Sequence, residues 1–98
     1  MPVCHQFLDL QVLLPLANGS EEMEAITIIN ALRRANANVV VASIEDGVEI
    51  AARYGMRIVA DVLLDDAADH TQFDLIIVPV STWYAKTSSL KLDRSHAD

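Results

Sequence analysis

A doubly wound α/β fold with a mostly parallel sheet is the architecture this sequence predicts, and three observations predict it. Apolar strand-like runs alternate with a segment of helical period. Two of those runs, NVVVASI and FDLIIV, are continuously apolar and rich in β-branched residues, as in parallel strands covered on both faces. Between the first strand and the first helix lies LPLANGSEEMEA, where a short apolar run passes through a tight turn into an acid-rich helix start.

Gln11 to Ala17 reads as a mostly buried strand, with Pro15 placed near its end because proline cannot donate to a ladder. Asn18-Gly19 supplies turn chemistry and Ser20 is the expected N-cap. The helix that follows runs to about Ala35, with Ala25, Ile28, Ile29 and Leu32 on one face. Arg33 and Arg34 complement its carbonyl end, and Asn36 can help terminate it. Asn38 to Ile44 is the second strand and completes a βαβ unit. Glu45-Asp46-Gly47 makes a turn, Val48–Ala51 and Met56–Ala60 are short extended pieces, and Asp61–Ala68 holds a brief helix. Phe73 to Val78 is another buried strand ending at Pro79. Beyond it, VSTWYAKTSSLKLDRSHAD has no strong period and reads as a polar tail. The expected organisation is an N-terminal extension over 1–10, a partial domain over 11–79 and a divergent tail over 80–98. Roughly 80 organised residues fall short of the ~100–150 usual for such a domain, so the expectation is the N-terminal half of the fold only.

With 98 residues, 52% of them hydrophobic, the chain has room for one small packed domain. Seven basic against 14 acidic residues leave a net charge of −7, and no Lys/Arg run forms the footprint that nucleic acid or an anionic membrane requires. Cys4 is the single cysteine, so no intrachain disulfide can form. MPVCHQFLDLQVLLPLA carries no basic leader and its apolar run is too short to span a bilayer. The expected compartment is the cytoplasm, with the chloroplast as the alternative.

Glu21, Glu22 and Glu24 fall within the first helical turn, where unpaired amides and the helix dipole favour negative charge. Two readings stay open: one of them is a general acid/base whose pKa burial raises toward neutrality, or all three are exposed acids that complement the dipole. If Ala25, Ile28 and Ile29 face the core, Glu24 lies closest to it while Glu21 and Glu22 stay solvated. Cys4, beside His5, has no helix N-terminus behind it to stabilise a thiolate. His70 and His96 sit in polar sequence, and His70 with Asp65, Asp66 and Asp69 lacks a recognised metal spacing. Arg53 follows an extended piece and could bring charge to a site or sit on the surface. Trp83-Tyr84 does not identify a partner. No G-x-G-x-x-G or P-loop is present, so dinucleotide and phosphate cradles are missing.

VLLPLANGSEEMEAITIINALRRANANVVVAS, RIVADVLLDDAA and FDLIIVP, taken in that order, resemble the DJ-1/PfpI (ThiJ) family of the class I glutamine-amidotransferase-like, or flavodoxin-like, fold, over about Val12 to Pro79. The similarity is greatest to its plant-type branch, whose members often carry two such domains. The resemblance implies a homodimeric, cofactor-independent protein without a metal. Its relatives act on small reactive aldehydes as glyoxalases converting glyoxal or methylglyoxal to hydroxy acids, or as deglycases, proteases or redox-responsive chaperones. In the family site a cysteine at a strand-to-helix elbow attacks the aldehyde, and a carboxylate on the first helix shuttles protons. That carboxylate corresponds to Glu24, with Arg53, Arg34 and Gly19 as binding positions. Two departures are visible. Where the family has Pro-Gly-Gly, this chain has Pro79-Val80-Ser81, whose side chains obstruct close backbone approach. The nucleophile elbow has no counterpart in these residues, and Cys4 does not match it. The resemblance therefore implies a truncated member without cysteine-dependent activity. The alternatives are a non-catalytic module, pairing with itself or with a full-length relative, and a small flavodoxin-like ligand-binding domain.

Overall fold

Two apolar strands lie side by side at the centre of the molecule. β1 (Gln11–Leu16) and β2 (Asn38–Ser43) run parallel, with Val12 opposite Val39 and Leu14 opposite Val41. The computed structural model describes residues 10–70 and 73–97, together with the side chains of all of these except 68–70 and 89–97. Along the chain come α1 (Glu22–Arg34), a hairpin of β3 (Glu49–Ala51) and β4 (Arg57–Val59), β5 (Val62–Leu63), α2 (Leu64–His70), β6 (Leu75–Ile76) and α3 (Val80–Ala97). The main sheet has the order β5-β2-β1-β6 and every pairing in it is parallel. The mostly parallel α/β architecture is thus the one the apolar runs predict.

Successive residues of a strand point to opposite faces, so two cores form. On one face Val12, Leu14, Leu16, Val39 and Val41 pack with Ala25 and with the half-buried Ile28, Ile29 and Leu32 of α1. On the other, Leu13 and Ala42 pack with Ala67 of α2 and with Val40, Val62 and Phe73. Covering both faces is what makes continuous apolar strands stable in parallel sheets. Pro15 lies in β1 opposite Ala42. The carbonyls of Leu10 and Leu16 accept from Asn38 of β2 and from Ile44 just past it, while those of Gln11 and Leu13 accept from Asp74 and Ile77. Pro15 therefore faces the β6 side, where pairing involves only Val12 and Leu13, and its missing N–H removes no bond to β2.

The C-terminus of α1 closes through Asn36, in the left-handed region at φ 71°. The Ala37 amide donates to Leu32 and the Asn36 amide to Arg33, both at 3.1 Å, which caps the last turn as the sequence predicts. Arg33 donates to the Val39 carbonyl at 2.9 Å and meets Asp61 at 3.2 Å, and Asp61 accepts the Val41 amide at 2.9 Å.

Three expectations need correction. The N-cap of α1 is Glu21, whose side chain accepts from the Met23 and Glu24 amides at 3.1 and 2.9 Å, because the Ser20 hydroxyl is engaged elsewhere. The brief helix expected within Asp61–Ala68 is α2, which starts at Leu64 after β5 has paired with Ala42 and Ser43. Phe73–Val78 is not a buried strand. Among the described residues β6 pairs with β1 alone, and Leu75 and Ile76 are 44% and 59% exposed at the sheet's edge. The sequence after Pro79 is helical, since an uninterrupted stretch without Gly or Pro needs no amphipathic pattern once its first amides are satisfied. Cys4, His5 and the 1–10 extension up to residue 9 lie outside the described residues, as do the side chains of Asp69, His70 and His96.

Leu14 is completely buried. Leu14→Ala is expected to cost about 2–5 kcal/mol in urea unfolding, whereas Ile26→Ala on the exposed flank of α1 stays within about 0.5 kcal/mol.

Candidate functional site

In an open parallel sheet, ligands gather outside the carboxyl ends of the strands, where neighbouring strands connect in opposite directions. Here that point lies beyond Leu16, since β1 leads through α1 to β2 on one side and has β6 on the other. Three segments converge there: the Asn18-Gly19 turn with the first turn of α1, the loop between β3 and β4, and the first turn of α3. They enclose an open concavity of about 460 Å³ lined by Glu21, Glu24, Arg53, Val80, Ser81 and Tyr84.

The turn is fixed by main-chain geometry. Gly19 has φ 93° and donates to the Ala51 carbonyl at 2.9 Å, and a side chain added there would meet the Ala85 Cβ of α3 at 3.2 Å. Gly19 is needed for both the left-handed backbone and the close approach of α3. Asn18 accepts the Ala51 amide through its side chain at 2.9 Å and donates its own amide to Glu45 at 2.9 Å. Ser20 is fully buried, and its Oγ accepts the Ala17 amide at 3.0 Å and lies 2.7 Å from the buried Thr82 Oγ1.

Glu24 is half-buried, and its carboxylate accepts the amides of Val80 at 3.1 Å and Ser81 at 3.0 Å. Ser81 Oγ in turn accepts the Glu21 amide at 2.9 Å. Two helix N-termini thus meet, and each supplies a group that satisfies amides of the other. The Ser81 hydroxyl and then the Ser81 amide hold the Glu24 carboxyl below its ordinary value, a smaller effect of burial opposes them, and the Val80 amide adds to the lowering. The condition placed on a catalytic glutamate, a pKa raised by burial, is not the one found here.

Burial among the three glutamates also differs from expectation. Glu22, expected to stay solvated, is 5% exposed and accepts the amides of Tyr54 at 2.9 Å and Met56 at 3.2 Å. Burial alone raises its carboxyl, but bonds from its own amide, Met56 and Tyr54 outweigh this and bring it down. Glu22 ties α1 to the hairpin loop, and because those partners lie 32 and 34 residues away, no local spacing announces it. Ser81 and Thr82 are the other site residues that periodicity missed.

Arg53 is exposed, lines the concavity, and stands with its guanidinium 5.7 Å from the centre of the Tyr54 ring. Its amide donates to the Ser20 carbonyl at 2.9 Å, which fixes the loop against the turn. Arg34 is exposed in the last turn of α1, about 15 Å of helix rise from Glu24, and does not line the concavity. Asp65 and Asp66 are exposed on α2, and among the described residues no group of three or more His, Cys, Asp or Glu could hold a metal ion. No helix among the described residues is long and apolar enough to cross a membrane.

A parallel α/β sheet with an acid-bearing turn at its switch point defines the class, and the DJ-1/PfpI family profile matches residues 10–80. The chain belongs to the DJ-1/PfpI family. It is 52% identical over 69 residues to protein DJ-1 homolog B of Arabidopsis thaliana and 46% identical over 69 residues to DJ-1 homolog A of the same plant. The matched stretch is 70% of this chain in both cases, and 16% and 17% of the lengths of those relatives. Among solved structures it is similar to oxidized Toxoplasma gondii DJ-1, with a TM-score of 0.69 and 43% identity over 74% of this chain and 39% of that one. Drosophila melanogaster DJ-1beta aligns with a TM-score of 0.70 and 32% identity over 76% of this chain and 39% of that one. Coverage of that size fits the N-terminal half of the fold.

A carboxyl whose pKa is lowered on folding stabilises the fold above its ordinary pKa and ceases to do so as pH falls through its lowered folded-state value. Trp83, the single tryptophan, sits in the first turn of α3 and reports on that contact. Acid titration of Trp83 fluorescence is expected to show a transition below the ordinary glutamate range. Glu24→Gln should remove that component and give an already shifted spectrum at neutral pH.

Proposed function

We propose that this 98-residue chain retains the carboxylate side of a DJ-1/PfpI reactive-carbonyl site, and that it does not itself turn over glyoxal or methylglyoxal. The observation that carries this reading is the engagement of Glu24, whose carboxylate accepts the Val80 and Ser81 amides. A proton shuttle for aldehyde chemistry works best with a pKa near the operating pH. The contacts around Glu24 favour its anion and so oppose that role. Glyoxalase chemistry of the family type also needs a thiolate to add to the aldehyde carbon, and the one cysteine among these residues, Cys4, precedes β1. The Val80 and Ser81 amides are taken up by a carboxylate of the chain itself.

In this reading Glu24 positions α3, Gly19 allows α3 to approach, and Arg53 leaves a positive charge at the mouth of the concavity. Glyoxalase or deglycase activity on small aldehydes is what the family resemblance implies for complete sites. A second reading, a non-catalytic association module, is favoured by the exposed edge at β6.

The test is an assay of the purified 98-residue chain with glyoxal and methylglyoxal, following loss of the dicarbonyl and appearance of the hydroxy acid. No conversion above buffer is expected, with Glu24→Gln indistinguishable from the unmodified chain. Robust turnover that Glu24→Gln abolishes would overturn the proposal.

A further inference from the structure

Asn18-Gly19 is the one Asn-Gly pair in the sequence, since Asn30, Asn36 and Asn38 precede alanine or valine. At such a pair the glycine nitrogen can attack the asparagine side-chain carbon, because glycine has no Cβ to obstruct the approach. In the folded molecule one residue holds both reacting groups. The Gly19 amide donates to the Ala51 carbonyl at 2.9 Å, and the Asn18 side-chain oxygen accepts the Ala51 amide at 2.9 Å. Asn18 is itself exposed, so water reaches it. Ala51 ends β3, which pairs with β4 in a two-stranded hairpin outside the main sheet. The loop beyond it is fastened by Glu22 through the Tyr54 and Met56 amides. A small hairpin held by a few polar contacts opens more readily than the central strands.

We propose that Asn18 is a site of spontaneous deamidation, gated by the pairing of its turn with Ala51. When the hairpin lifts, the Gly19 nitrogen gives up its proton and attacks Asn18 Cγ. A carbon–nitrogen bond forms, the side-chain nitrogen leaves as ammonia with that proton, and a succinimide ring remains. Water opens the ring at either carbonyl, giving aspartate or isoaspartate, so water is the only co-reactant and nothing is oxidised or reduced. The aspartate product adds a negative charge to a residue whose amide already donates to the Glu45 carboxylate at 2.9 Å, and like charges so close repel. The isoaspartate product routes the main chain through the side-chain carbon, and the added methylene disrupts the turn in which Gly19 has φ 93°. Because the Arg53 amide donates to the Ser20 carbonyl beside that turn, the change also frees the loop that brings Arg53 to the concavity. Deamidation is thus a slow, irreversible release of the hairpin. It does not involve Glu24 and stands apart from the catalytic reading.

The test follows deamidation by mass spectrometry in the full chain, incubated folded, unfolded in urea, and as Glu22→Gln, which weakens the clasp on the hairpin loop. Fragmentation of the tryptic peptide ending at Arg33 separates Asn18 from Asn30. Aspartate and isoaspartate are expected at Asn18 and not at Asn30, Asn36 or Asn38. Conversion should be about tenfold or more slower in the folded chain than in urea, with Glu22→Gln in between. Equal rates in the folded and unfolded chain would contradict the gate, as would a rate in folded Glu22→Gln no faster than in the unmodified chain. A folded chain that never converts at Asn18, or converts equally at the other asparagines, contradicts the site. Should Glu22→Gln fail to fold, hydrogen exchange of the unmodified chain decides. Protection of the Gly19 and Ala51 amides should match the slowing of deamidation and fall below that of the Val41 amide, and protection equal to that of Val41 overturns the proposal.

Discussion

The Glu24 carboxylate seats a helix. The first amides of α3 have no intrahelical acceptors, and in this molecule two of them reach a carboxylate on another helix. The same junction contains the Glu21 amide on Ser81 Oγ and the buried hydroxyl pair of Ser20 and Thr82. The Ser20 and Thr82 hydroxyls are buried, and without this bond a polar group would be held in the core with a missing partner, which is costly. The position of α3, the shape of the concavity and the charge state of Glu24 therefore follow from one set of contacts.

That junction depends in turn on the sheet. Strand β1 ends at Leu16, buried among apolar neighbours, and delivers the chain to a turn that needs Gly19 in a left-handed conformation. Glu22 holds the hairpin loop against α1 through the Tyr54 and Met56 amides, and so brings Arg53 to the concavity. One acid of the EEME run caps its own helix, one fastens a loop and one seats a second helix. The three roles differ because each carboxylate meets amides from a different segment.

Much of this was legible in the residues. The apolar period of α1, its Asn36 terminator, the parallel β1 and β2, and the turn at Asn18-Gly19 are local patterns, and local geometry follows from them. The ordered motifs from Val12 to Pro79 also identify the family, which the profile match over 10–80 agrees with. What escaped was long-range. Glu22 looked solvated because its partners lie more than 30 residues away. Ser20 looked like a cap because its contact with Thr82 spans 62 residues. FDLIIV looked buried because its composition is that of a central strand, whereas only its position in the sheet makes it an edge. Val80 onward looked like a tail because a helix whose start is satisfied from outside carries no periodic signature of its own.

The most direct test of the Glu24 junction is a pH titration of the Val80 and Ser81 backbone amides by heteronuclear NMR. Both resonances should move together, with a midpoint below the ordinary glutamate value, and Glu24→Gln should remove the titration from both. Amide shifts that stay constant through the acid range, or that titrate unchanged in Glu24→Gln, would contradict the account.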